Sequence, residues 1–77
     1  MQRGYVLCDR NLSKVLCLAS GQGGVLMKDV DSTQVLNKAF CLEDLTETKN
    51  VLMRLEEKEL VDNLEIVNVA RLYKKFF

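Results

Sequence analysis

The apolar positions fall into short runs separated by polar clusters, and each run predicts one element. Gly4 to Asp9 is a β-branched and aromatic strand that ends in the polar cluster Asp9-Arg10-Asn11, and Lys14 to Ala19 repeats its character. The two predict a hairpin. With Asp9 opposite Lys14, Cys8 faces Val15 and Val6 faces Cys17, which puts both cysteines on one sheet face as diagonal neighbours. Ser20-Gly21-Gln22-Gly23-Gly24 predicts a loop or wide turn, Val25-Leu26-Met27 a third strand, and Asp29 to Thr33 a polar connection. In Gln34 to Phe40 the apolar residues Val35, Leu36, Ala39 and Phe40 keep no clean period, and the segment is read as a further short strand.

The clearest periodicity follows. Asp44, with Glu47 three residues on, forms a carboxylate variant of the capping box. Leu45, Thr48, Val51, Leu52 and Leu55 then cover a single stripe at helical spacing, with Glu47, Asn50, Arg54 and Glu57 opposite. The predicted helix runs from Asp44 to Leu60, and Asp62-Asn63 supplies a stop, because asparagine tolerates the left-handed conformation that follows helices. Leu64 to Tyr73 is the longest strand candidate. Neither of its two parities is cleanly polar, so it is expected at the centre of the sheet, with Lys74-Lys75-Phe76-Phe77 closing the chain. The pattern predicts one α+β domain over residues 1–77: an antiparallel sheet of three to five strands with one amphipathic helix packed on one face.

Length and composition agree with that reading. With 77 residues the chain has room for one core, and 48% hydrophobic with 29% charged residues is globular composition. Eleven basic and eleven acidic residues cancel, which removes the long-range field that attracts phosphate backbones or anionic lipid. Locally, residues 31–63 hold eight acidic and four basic side chains, while residues 1–30 and 64–77 are mildly basic. No apolar run reaches the roughly 18 residues of a membrane span, and Met1-Gln2-Arg3 leads directly into a strand rather than a signal sequence. Three cysteines without a C-x-x-C pair and without histidine predict reduced thiols and a cytoplasmic location.

Candidate chemistry is sparse. With no histidine, Ser-His and Cys-His nucleophile pairs cannot be assembled, and the chain is expected not to be an enzyme. Cys8 and Cys17 read as small buried hydrophobes. Cys41, just ahead of the helix, is the one thiol a helix dipole could activate, although its neighbours Phe40 and Leu42 mark it as a packing residue. Asp29-x-Asp31 opens like a calcium loop, but Gln34 stands where glycine is required and Phe40 where the bidentate glutamate belongs, so no metal is expected. Gly21 to Gly24 lacks the lysine and helix of a phosphate-binding loop, and no cofactor is implied.

The succession Tyr5-Val6-Leu7, a polar turn, Lys14-Val15-Leu16, Asn37-Lys38-Ala39-Phe40, a helix and Leu64-Glu65-Ile66-Val67-x-Val69 resembles a loose class of small phage-encoded proteins. The resemblance implies a ββ(β)αβ domain of phage or mobile-element origin that acts in the host cytoplasm by occupying a bacterial host protein, and it carries over no catalytic residue. The candidate partner-binding positions are Gly21, Gln22, Gly23 and Gly24, with the strand edge beside them, and Glu56, Glu57 and Glu59 on the acidic helix end. An exposed edge also suits pairing with a second copy of the chain. The alternative is a small-ligand or single-stranded nucleic-acid domain that uses an open sheet face with Arg71, Lys74 and Lys75, a set too small to make nucleic acid the favoured partner.

Overall fold

The computed structural model describes residues 2–19, 21 and 23–77. Its elements are β1 (Tyr5–Cys8), β2 (Lys14–Leu18), β3 (Val25–Asp29), α1 (Thr33–Lys38), β4 (Cys41–Leu42), α2 (Leu45–Glu57), β5 (Glu65–Asn68) and α3 (Val69–Phe76). All strands pair antiparallel in one five-stranded sheet, and the fold is α+β.

The first hairpin is closed by Asp9. Its Oδ1 accepts from the backbone N–H of Ser13 (2.8 Å) and of Lys14 (2.9 Å), and its Oδ2 accepts from the Ser13 hydroxyl (2.8 Å), so one carboxylate satisfies three donors on the far side of the turn. Cys8 pairs with Val15 as the polar turn predicts. The expected facing of Val6 and Cys17 does not follow, because β1 and β2 separate beyond that pair and β4 fills the gap. Val6 pairs with Cys41 and Tyr5 with Leu42, while Phe40 N–H donates to Leu16 O at 3.0 Å. The other edge of β1 takes β5 along its whole length, from Tyr5↔Asn68 to Cys8↔Glu65.

The central strand is therefore β1, and the expectation of a central, ten-residue last strand is corrected. Only four of its residues are extended. Asn68 ends the strand by accepting the Ala70 N–H on its side chain (3.0 Å), and α3 begins there. Val69, Leu72, Tyr73 and Phe76 stand at i, i+3, i+4 and i+7, so the run that reads as a strand also carries a helical stripe. The same correction applies to residues 34–40, of which 34–38 belong to α1, with Ala39 as its C-cap. The Ser32 hydroxyl accepts the Val35 N–H (3.4 Å), and Leu36 turns fully inward. Three helices thus stand where one was expected.

They cover both faces of the sheet. On one side Val6, Cys8, Val15, Cys17 and Val67 pack against Leu36 of α1 and against Val69 and Leu72 at the head of α3. Gln2 ties this layer together, donating its side-chain amide to Asn37 O (3.0 Å) and Ala39 O (2.9 Å) at the end of α1, and the Tyr73 hydroxyl donates to the Asn37 side-chain oxygen. On the other side Leu7 and Leu16 are buried with Thr48 of α2. Asp44 caps that helix as its sequence predicts, accepting Glu47 N–H at 3.3 Å. The stripe docks through Thr48, with Val51, Leu52 and Leu55 half buried and Leu45 exposed.

Candidate interaction surface

The helix α2 stops three residues before the expected Leu60, and the way it stops builds the surface. Glu59 takes the left-handed conformation (φ 58°), its N–H donates to Glu56 O (3.0 Å), and the Leu60 N–H donates to Leu55 O (3.0 Å). This pair of bonds is a Schellman motif, with glutamate at the position glycine usually takes. Its effect is to fold Leu60 back beside Leu55 rather than onward along the helix. The expected stop at Asp62-Asn63 is a separate turn: Asn63 is left-handed (φ 56°), but it redirects the chain into β5.

Leu60 then meets the β2–β3 hairpin. A groove of about 290 Å³ runs between Leu16, Leu18 and Val25 of the sheet, Phe40, and Val51, Leu55 and Leu60 of the helical layer. Gly23 closes its loop end, and Arg54 and Lys58 give it a basic wall. On the other side of Leu60, Glu56, Glu59 and Asp62 line an acidic cleft. Leu18 is 62% exposed, Leu60 51% and Leu26 37%. Scattered exposed leucines need no account, but here Leu18 and Leu60 share one groove bordered by opposite charges, while Leu26, paired with Cys17, turns to the other face of the sheet.

The sequence-derived candidates distribute unevenly over this end. Gly21, Gly23 and Gly24 lie in the β2–β3 loop, where Ala19 N–H donates to Gly24 O at 2.9 Å, while Gln22 lies outside the described residues. Gly23 reaches the groove, and Glu56 and Glu59 border the cleft next to it, so the structure brings the loop and the acidic helix end to opposite sides of Leu60. Glu57 lines neither. Leu18, Val25, Phe40, Val51, Leu55 and Leu60 were not singled out as site residues. For Leu18 the available signal is its parity: it continues the Lys14, Leu16 face of β2 past the end of the covering helix.

The alternative surface is differently placed. Arg71, Lys74 and Lys75 belong to α3 rather than to a strand, and Lys75 Nζ is engaged, donating to Asn11 O at 3.0 Å and lying 5.3 Å above the Phe76 ring. The central strand β1, which an open-face reading needs bare, lies between the α1–α3 layer and α2.

The thiols are held in their protonated form. Burial pushes Cys8 up to about 11, aided by Asp9 and Glu65 and opposed by Arg71 and Lys75. Burial raises Cys17, against the pull of Lys28, and burial raises Cys41, with Glu43 adding to it. The activation of Cys41 by the helix start, entertained on its sequence position, is thus reversed in direction, and its Sγ donates to Arg3 O at 3.1 Å instead. Among the described residues no three histidine, cysteine, aspartate or glutamate side chains converge on a metal position, and no helix is long and apolar enough to cross a membrane. Comparison with protein-family models, curated proteins and solved structures finds no match to this chain.

Proposed function

We propose that this chain is a non-enzymatic protein-interaction module whose contact surface is the groove around Leu18, Leu55 and Leu60. The observation that carries this reading is that the exposed leucines Leu18 and Leu60 meet in one groove with Phe40 and the half-buried Val51 and Leu55. A basic rim of Arg54 and Lys58 and an acidic rim of Glu56, Glu59 and Asp62 give that apolar centre the charged border that orients a protein partner. Three thiols kept protonated by burial, in a chain without histidine, supply neither nucleophile nor base and support the non-enzymatic part of the reading. The phage-protein resemblance adds that the partner is a bacterial host factor met in the cytoplasm. Affinity capture from host lysate tests the proposal, with the wild-type chain and a Leu18→Lys, Leu60→Lys variant as baits. A stoichiometric protein held by the wild type and lost from the folded variant is the expected result. Failure to recover one, or equal recovery on both baits, overturns it.

A further inference from the structure

The outer edge of β3 borders the groove, and among the described residues no strand pairs with it. Which of its backbone groups face outward follows from the ladder on its other side. Ala19 N–H donates to Gly24 O and Val30 N–H to Ser13 O, each at 2.9 Å, and the register joins Cys17 to Leu26 and Val15 to Lys28. Hydrogen-bonded pairs recur every second residue in an antiparallel ladder, so the even residues Leu26 and Lys28 spend their N–H and C=O on β2. Val25, Met27 and Asp29 turn theirs outward. The Asp29 carbonyl already accepts from Asp31 N–H at 3.0 Å, which leaves Val25 and Met27 with both groups unpaired among the described residues.

Natural edges are blunted by proline, by bulges or by charges at the centre of the strand. Here the chain has no proline, the centre of the strand is Val25-Leu26-Met27, and its charges, Lys28 and Asp29, stand together at one end. That asymmetry selects among self-pairings. An axis at Lys28 sets two lysines opposite each other, and an axis at Met27 sets each Leu26 against Lys28 and each Val25 against Asp29. An axis at Leu26 pairs Leu26 with Leu26 and Val25 with Met27, and drops Lys28 and Asp29 opposite Gly24 and Gly23, where no side chain opposes them.

Resting on the interaction-surface reading, we infer that the β3 edge takes a second copy of this chain, antiparallel and centred on Leu26. Val25 and Met27 then exchange their free N–H and C=O groups across the two-fold axis, and the two sheets join into one. The exposed Leu26 pair is covered on one face. On the other, Leu60, which lines a cleft with Val25, Leu26 and Met27, lies beside the new contact in both copies. A strand this short makes a small interface, so the dimer exchanges with monomer as the chain is diluted.

The test uses the purified chain, with mass in solution followed across a dilution series and folding checked by far-UV circular dichroism. The wild type is expected at twice the mass of one chain at high concentration. Leu26→Lys, at a position already partly open to water, is expected folded and monomeric throughout. Register is read by disulfide formation in a Cys41→Ser background: Leu26→Cys sits opposite itself in a non-hydrogen-bonded pair with Cα atoms about 4.5 Å apart and is expected to cross-link under mild oxidation, whereas Lys28→Cys is not. A wild type that is monomeric at every concentration, a dimer indifferent to Leu26→Lys, or cross-linking at Lys28→Cys in place of Leu26→Cys overturns the inference. A monomeric wild type that still captures a protein lost from the Leu18→Lys, Leu60→Lys bait discards self-pairing and leaves the groove reading standing. A dimer that captures nothing does the reverse.

Discussion

At the scale of single residues, Gly4 and the first-hairpin groups Cys8 and Asp9 carry more than their size. Gly4 holds φ at 115°, and a Cβ there would collide with the Leu42 carbonyl and stand 2.8 Å from Glu43 Cα, both of them backbone that cannot swing aside. Its own carbonyl accepts the Val69 N–H at 2.9 Å, so the residue is clamped between β4 and the start of α3. Gly4→Ala is expected to cost about 2 kcal/mol or more, measured by denaturant unfolding. Titration adds a second prediction. An ordinary thiol ionises near 9.0, but the folded chain holds the Cys8 proton to about 11, so the unfolded state releases its proton first. The stability this group contributes is complete below pH 9.0 and is lost as the pH climbs to about 11, and Cys8→Ala should flatten that part of a stability-against-pH curve. Asp9 works in the opposite direction. Burial pushes its carboxyl up, but hydrogen bonds from Lys14 N–H, the Ser13 hydroxyl and Ser13 N–H outweigh it and hold the group below its ordinary 3.8. Its contribution is full above that value and disappears as acid takes the pH through the folded-state value, and Asp9→Ala should remove this acid limb.

At the scale of elements, the sequence is readable where a local signal and the tertiary demand agree. Asp9 writes its own turn, and Asp44 starts α2 with the very bond its spacing predicts. The two misread segments share a cause. Thr33–Lys38 and Val69–Phe76 are short helices begun by a single capping side chain, Ser32 or Asn68, inside runs whose valines favour extended backbone. Their helical state is decided by docking Leu36 and Leu72 on the sheet, which no local window contains. The interaction surface is legible in outline only: the glycine loop lies at the groove and the acidic helix end at the cleft beside it, but a sequence assigns leucine to the core by default, and Leu18 and Leu60 depart from that default. The end of α2 supplies a prediction at this scale. Glu59 occupies the left-handed position of the Schellman motif with no side-chain hydrogen bond among the described residues, so Glu59→Gly is expected to raise stability by about 1 kcal/mol, read from the unfolding midpoint.

At the scale of the molecule, β1 is the strand that every other part of the sheet needs. It is flanked by β2 and β4 along one side and by β5 along the other, and those neighbours come from residues 14–18, 41–42 and 65–68. The strand that covers the second edge of β1 lies about sixty residues further along the chain, so that edge stays open until β5 has been made. Val6 and Leu7, fully buried in the fold, lack the cover of β5 throughout that interval. A fragment of residues 1–63 is accordingly expected to lack cooperative thermal unfolding, and adding a peptide of residues 64–77 to restore it. The sheet is thus closed across a long stretch of sequence, and the segment from residue 64 onward acts as the latch that the central strand waits for.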